Sequence, residues 1–201
     1  MAKSGKLLVA ITGSIGSGKS TFANFLTEQG YIVLSADDIS KEILARDPEV
    51  KNQIIQEFGN ESFNGDYINK KFLADKVFSN PKKLEKINSI LHPRFREKIK
   101  SLAEEYFKTM DFVFVEAALI FESKIEKMYD LVVLIKAEKN IRIQRATKNN
   151  KISEKDFINR NKNQLDEEIK VKKSDIVFTN NGYKAELQKK ANLLISILKF
   201  S

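Results

Sequence analysis

Cysteine is absent from this chain of 201 residues, which excludes disulfides and every zinc site built on thiolates. Histidine occurs once, as His92, so no multi-histidine metal centre and no relay between two imidazoles can form. No apolar run approaches the roughly 20 residues that a membrane helix needs. The opening Met1-Ala-Lys-Ser-Gly-Lys6 is polar and lacks the apolar stretch of a signal peptide. These absences predict a soluble, cytoplasmic protein with no membrane partner. Arginine is sparse and scattered, at Arg46, Arg94, Arg96, Arg142, Arg145 and Arg160. The formal charge of +8, from Lys+Arg 35 against Asp+Glu 27, therefore comes mainly from lysines spread along helix-like segments. A nucleic-acid binder would cluster its cations with interleaved aromatics. A dispersed excess instead suits steering of small anionic molecules, and no nucleic-acid partner is expected.

What the chain does have is a hydrophobic fraction of 42%, enough for one globular domain with a sizeable core. It also has Gly13-Ser-Ile-Gly-Ser-Gly-Lys-Ser20, directly after the apolar run Leu7 to Thr12 and before a helix-like stretch. This is the spacing and context of a phosphate-binding loop. Glycines let successive backbone N–H groups turn inward around a polyphosphate, and the helix that follows adds its unpaired amides and positive dipole end. Lys19 supplies a full charge for the β- and γ-phosphates, and the Ser20 hydroxyl is the expected magnesium ligand. The nucleotide contacts expected here are Gly13, Ser14, Gly16, Ser17, Gly18, Lys19, Ser20 and Thr21. The cofactors expected are ATP, as co-substrate, and Mg2+.

Short β-branched runs recur at Leu7–Thr12, Tyr31–Ser35, Phe112–Val115, Leu131–Ile135 and Ile176–Phe178, nearly continuous in apolar content as for strands covered on both faces. Helix-like segments alternate with them: Thr21–Gln29, Glu138–Lys148, Ser153–Glu168 behind a capping serine, and Lys184–Lys199. The pattern predicts an α/β fold with a doubly wound, parallel five-stranded sheet. The interval between Ser35 and Asp111 breaks the rhythm, with helical patterns only (Asp38–Leu44, Glu49–Phe58, Lys70–Phe78, Lys82–Leu91, Pro93–Phe107) and punctuation at Pro48, Gly59, Gly65, Pro81 and Pro93. The expected organisation is a core over 7–36 and 111–201, an inserted helical substrate subdomain over about 37–110, and a short lid over about 146–168 around the polar break Lys148-Asn-Asn-Lys151. No pattern specifies an oligomeric state.

Phosphoryl transfer needs positioned groups and charge neutralisation more than covalent chemistry. Asp37, in Ser35-Ala-Asp37-Asp38, follows a strand end, where ligands of doubly wound sheets bind. It is placed to take a proton from a substrate hydroxyl; the competing reading makes Asp37 and Asp38 caps of a helix starting near Ile39. Glu116 ends the next strand in the same way, either beside the metal or as a solvated acid. Arg145, in the helix after Ile135 and facing the flap, is the expected catalytic cation over the phosphates, with Arg160, Lys148 and Lys151 as further cations. His92, before Pro93 at an expected helix start, is read as a junction residue with a possible substrate contact.

Several segments together resemble the dephospho-CoA kinase family. The stretch Ile11 to Thr21 is similar to its opening signature, and Ala36-Asp37 to the end of its Asp-Ala-Asp motif. Leu91-His92-Pro93, Ala118-Leu-Ile-Phe-Glu122, Arg160-x-x-x-Gln164 and Ser174-Asp175 through Asn180-Asn-Gly182 resemble its later motifs in the same order. The resemblance implies transfer of the ATP γ-phosphoryl group to the 3′-hydroxyl of dephospho-CoA, the last step of CoA synthesis, with these two small molecules as partners. It implies a nucleoside-monophosphate-kinase-like core, Asp37 as the base, Asn180 and Gly182 near the adenine, and substrate contacts at His92, Arg160 and Gln164. Three positions depart from the pattern: Ser35 replaces the first Asp, Ala118 a Pro, and Asn149 a second lid Arg, for which Lys148 or Lys151 would have to stand in. Another kinase on the same core is the nearest alternative. A guanine-nucleotide switch is disfavoured, since Thr179-Asn-Asn-Gly182 lacks the aspartate of an Asn-Lys-x-Asp segment. A nucleic-acid-dependent ATPase would need extra motor motifs, which 201 residues hardly accommodate.

Overall fold

The computed structural model describes residues 5–78, 80–149 and 152–200. Its strands are β1 (Leu7–Thr12), β2 (Ile32–Ser35), β3 (Phe63–Asn64), β4 (Tyr67–Ile68), β5 (Phe112–Glu116), β6 (Leu131–Lys136) and β7 (Ile176–Thr179). Its α-helices are α1 (Lys19–Glu28), α2 (Ala36–Arg46), α3 (Pro48–Phe58), α4 (Lys70–Phe78), α5 (Pro81–Tyr106), α6 (Lys139–Asn149), α7 (Glu154–Lys162), α8 (Glu167–Lys173) and α9 (Lys184–Lys199). The chain divides into two compact units, Met1–Ser35 with Tyr106–Ser201, and Ala36–Glu105. Among the described residues no helix is long and apolar enough to cross a membrane.

In the first unit, five strands pair in the order β2-β5-β1-β6-β7, all parallel. The most apolar run sits at the centre, where both faces must be covered: Val9, Ala10 and Ile11 of β1 are fully buried, as are Val133, Leu134 and Ile135 of β6. Helices α1 and α9 pack together on one face. Phe22 of α1 stacks on Phe178 of β7 with centroids 5.7 Å apart, and Leu187, Ala191, Leu194 and Leu198 fill the seam at helical spacing. Register places the strand ends that matter side by side, with Ile11 and Ser35 each opposite Glu116, and Thr12 opposite Leu134. The carboxyl end of β1 thus emerges between two parallel neighbours, where an open α/β sheet binds its ligand.

The second unit is mostly helical. Asp47 caps α3 by accepting from the Glu49 and Val50 N–H groups at 2.9 and 3.1 Å, with Pro48 in the first turn, where its missing N–H costs nothing. Val50, Ile54 and Phe58 then bury one face of α3.

The structure departs from three local expectations. The interval is not free of strands, because β3 and β4 form an antiparallel hairpin around Gly65, whose φ of 63° lies in the left-handed region that favours glycine. Lys51 fastens that turn by donating to the Gly65 carbonyl at 3.0 Å and to Asp66 at 2.9 Å. Two strands of two residues are too short for periodicity to reveal. Pro93 does not start a helix either. It lies inside α5, which runs unbroken for 26 residues. The ring removes one backbone bond, which in a helix interior costs about 3 kcal/mol, and the buried face of Ile90, Phe95, Ile99 and Ala103 offsets that loss. Lastly, the single helix expected over Ser153–Glu168 is two, α7 and α8, because Asp166 caps a new start by accepting from Glu168 N–H at 2.8 Å.

Candidate active site

The phosphate loop leaves β1 at Thr12 and enters α1 at Lys19. Gly16 and Gly18 have φ of 78° and 95°, the left-handed region that L side chains avoid. Both are also crowded. A Cβ on Gly16 would lie 2.3 Å from the Arg142 carbonyl oxygen, and one on Gly18 would lie 2.3 Å from Asn180 Nδ2. Ser17 N–H donates to the Ser14 carbonyl at 3.0 Å, closing the turn. The hydroxyls of Thr12 and Ser17 are buried with no partner among the described residues. Orphaned donors in a close-walled glycine cradle fit a polyphosphate, which offers only acceptors.

At the mouth of the loop one carboxylate oxygen holds two groups. Glu116 Oε1 lies 3.3 Å from Lys19 Nζ and accepts from Ser20 Oγ at 3.1 Å. A hydroxyl beside a carboxylate is a hard-oxygen donor set, which suits magnesium brought in with its nucleotide. Among the described residues no three His, Cys, Asp or Glu side chains gather as a self-sufficient metal site.

Behind the loop, residues distant in sequence converge. Gln164 Oε1 accepts from Ile15 N–H at 2.9 Å, while its Nε2 reaches the Ala118 carbonyl at 3.5 Å. Asn180 is buried, and its Nδ2 donates to the Ser17 carbonyl at 2.7 Å. Arg145, expected to face the flap, instead donates from Nη1 to the Asn180 carbonyl at 2.7 Å and from Nη2 to that of Gly182 at 3.0 Å. Burial lowers its pKa from the ordinary arginine value.

A family model described as dephospho-CoA kinase matches residues 7–186, a span that takes in all of these contacts. The chain belongs to the dephospho-CoA kinase family. It is 37% identical over 192 residues to the dephospho-CoA kinase of Fusobacterium nucleatum, covering 92% of this chain and 94% of that one. Among solved structures, one from Thermus thermophilus superposes with a TM-score of 0.81 at 29% identity, covering 96% of this chain and 98% of that one. The dephospho-CoA kinase from Campylobacter jejuni gives a TM-score of 0.63 at 27% identity, covering 97% of this chain and 98% of that one.

Set against the motifs by which the sequence resembles dephospho-CoA kinases, the remaining expected residues stand as follows. Thr21 lies in the first turn of α1. Arg160 is exposed on α7. The stand-in for the lid arginine of the family falls in part outside the described residues, at Lys151 and the Asn149 side chain; Lys148 is exposed in the last turn of α6. Asp37 and His92 belong to the second unit. Helix α2 starts at Ala36, not near Ile39, so Asp37 and Asp38 stand inside its first turn rather than at its cap. Asp38 pairs with Lys41 at 2.7 Å, whereas Asp37 is exposed. His92 is half-buried, and burial together with Arg96 lowers its pKa from 6.5.

Two cations were missed as site residues. Arg142 is buried, with Nε on the Ala137 carbonyl at 3.1 Å and Nη1 on Asn161 Oδ1 at 2.9 Å and on the loop's Ile15 carbonyl at 3.4 Å. Its guanidinium also lies 5.8 Å from the centroid of the fully buried Phe157 ring, fixing α7 to α6. Lys170 on α8 is fully buried and pairs with Glu122 at 2.9 Å. Charged residues read as surface from composition, and only the three-dimensional pairing reveals them. Glu122 and Gln164, both inside quoted motifs, were the available signal.

Proposed function

We propose that this chain binds ATP on the loop Gly13–Ser20 and transfers its γ-phosphoryl group to the ribose 3′-hydroxyl of dephospho-CoA, giving CoA and ADP, in the cytoplasm. The observation that carries this reading is convergence. Gln164 and Asn180 come from two motifs that lie 149 and 163 positions from the loop residues they bond to, and Arg145 in turn holds the carbonyls of Asn180 and Gly182. A loop that merely turned a strand into a helix would need none of them.

In this mechanism the loop amides and Lys19 hold the β- and γ-phosphates, and Lys19 exchanges its contact with Glu116 for phosphate oxygen. Ser20, with Glu116 beside it, would hold magnesium, which when bound neutralises charge on the phosphates. The carbonyl-lined segment Asn180–Gly182, kept in place by Arg145, receives the adenine through backbone groups. Arg145 reaches the transferred phosphoryl group only by leaving those carbonyls. Asp37 accepts the proton of the 3′-hydroxyl as its oxygen attacks phosphorus, and the bond to the β-phosphate oxygen breaks to release ADP. Among the described residues Arg160 and Lys148, both exposed, close over the anionic substrates, and His92 contributes a neutral contact to the acceptor.

A coupled assay of ADP release tests the proposal. The acceptors are dephospho-CoA, a panel of nucleoside monophosphates, adenosine and small alcohols. Release that depends on dephospho-CoA and yields a 3′-phosphate is expected. Preferential turnover of a nucleoside monophosphate would assign the chain to another kinase activity, and acceptor-independent release would make it a hydrolase.

A further inference from the structure

Lys170 is 0% exposed, an unusual place for an ammonium, which loses its hydration without full repayment from a single partner. A stabilising role alone would be served as well by an apolar side chain of similar size. Its surroundings point elsewhere. Nζ lies 2.9 Å from Glu122 Oε1 and 3.5 Å from the hydroxyl of Ser14, the second residue of the phosphate loop and itself only 3% exposed. Glu122 Oε1 is shared with the Leu165 N–H at 2.8 Å, and Glu122 Oε2 has no partner among the described residues. The carboxylate therefore anchors both the ammonium and the start of the segment that carries it.

Ser14 is the informative member. Its backbone carbonyl already accepts from Ser17 N–H, and its Oγ accepts from Lys170. An ammonium only donates, so the Ser14 hydroxyl proton must go to some other acceptor. None serves it among the described residues. A buried hydroxyl held in acceptor orientation by a cation, with its own proton unspent, is set up to donate to a ligand made of acceptors. The hydrogen bond from the ammonium also polarises the hydroxyl and makes it a stronger donor.

We infer that Lys170 is a positioning residue for the nucleotide: anchored by Glu122, its ammonium turns the Ser14 hydroxyl proton toward the bound polyphosphate. The inference rests on the loop being the nucleotide site, as proposed above, but not on the identity of the acceptor. It makes Glu122–Lys170–Ser14 a relay from the closing segment of the chain to the phosphates, separate from the contact that Gln164 makes with Ile15.

Equilibrium titration with ADP, with no acceptor present, reads the effect directly, and thermal unfolding is followed in parallel. Lys170→Met is expected to weaken ADP about tenfold, Ser14→Ala somewhat less, and the double variant no more than Lys170→Met alone, because the two act through one contact. Since Lys170→Met strands a buried carboxylate and can unfold the chain, Lys170→Met with Glu122→Gln removes both charges and is expected to recover the thermal midpoint but not the ADP affinity. Recovery of both would show that Lys170 serves stability alone. Multiplying effects of Ser14→Ala and Lys170→Met would show that they act separately. Either result overturns the inference. Tight ADP binding by the parent protein confirms the nucleotide site whichever acceptor the transfer assay selects.

Discussion

Replacing Asn180 distinguishes a side chain that braces the phosphate loop from one that reads the base. Its amide is 5% exposed and spends Nδ2 on the Ser17 carbonyl at 2.7 Å, while its backbone N–H is separately engaged with the Lys136 carbonyl at 2.7 Å. Asn180→Ala therefore removes the side-chain bond alone. Removing the donor leaves the Ser17 carbonyl unpaired in a buried place, which costs about 1–3 kcal/mol, and a contact this short lies toward the top of that range, at about 2.5 kcal/mol. In a chain of this size each kcal/mol moves the thermal midpoint by about 2–4 °C, which gives a fall of about 5–10 °C. Asn180→Asp preserves the volume but sets an acceptor against an acceptor, so its fall should be at least as large. Titration with ADP and with GDP completes the test. Because the side chain is turned to Ser17 and Gly18, both nucleotides should weaken by the same factor in both variants. An unchanged midpoint, or a loss of ADP affinity that GDP does not share, would refute the brace.

Lys19→Ala should reduce transfer to background, by removing the charge on the β- and γ-phosphates, and residual turnover near the parent rate would disqualify the loop as the reaction site. Asp37→Asn keeps shape without basicity and should cut kcat by about 10²–10⁴ while the KM for ATP stays within a few-fold; an active asparagine variant would leave Asp37 a surface residue of α2. Arg145→Ala frees the two carbonyls of the base segment, a loss of about 2 kcal/mol that should raise the KM for ATP about 30-fold. A collapse of kcat at unchanged KM would instead place Arg145 on the transferred phosphoryl group. His92 titrates below its ordinary value because of burial and Arg96, so the unfolded chain takes up its proton first as pH falls. The stability it contributes is complete above about pH 6.5 and is lost through the folded pKa, so His92→Gln should show a smaller drop in unfolding midpoint between about pH 7.5 and 5.5 than the parent protein; equal drops would refute this.

What the sequence disclosed follows from what its signals depend on. The inner strands β1, β5 and β6 were legible because burial on both faces imposes a continuous apolar run, a purely local requirement, and the half-covered edge strands β2 and β7 because their short runs are rich in β-branched residues. Helix α9 and the Ser153 cap were legible for the same reason: the 3.6-residue period and the Ser153–Asp156 pairing are properties of neighbouring residues. The hairpin at Gly65 and the passage of α5 through Pro93 were not legible, because local preference there is overruled by packing. Lys170 shows the limit most clearly. Helix α8 carries Lys170, Lys172 and Lys173 in its last turn, chemically identical in the sequence. Only helical phase, combined with the position of Glu122, selects one for burial beneath the loop.

The braces also answer a difficulty inherent in a glycine cradle. Glycine permits the backbone turns that aim amides at phosphate, yet it loses the most conformational entropy on being held there. Without support, nucleotide binding would have to meet that ordering cost itself, and affinity would fall accordingly. Here the cost is met during folding, by side chains that arrive from far along the chain: Arg142 on Ile15 across 127 positions, Gln164 on Ile15 across 149, and Asn180 on Ser17 across 163. Arg142 and Asn180 hold carbonyls of the loop, and Gln164 takes one amide, that of Ile15. The arrangement makes α6, α7 and the segment after β7 thermodynamic partners of the phosphate loop. By linkage, a substitution there should shift nucleotide affinity without touching the nucleotide, and bound nucleotide should in turn protect those helices. Amide exchange in α7 and α8 should therefore slow on addition of ADP, and an ADP effect confined to α1 and the loop itself would mean that the braces transmit nothing.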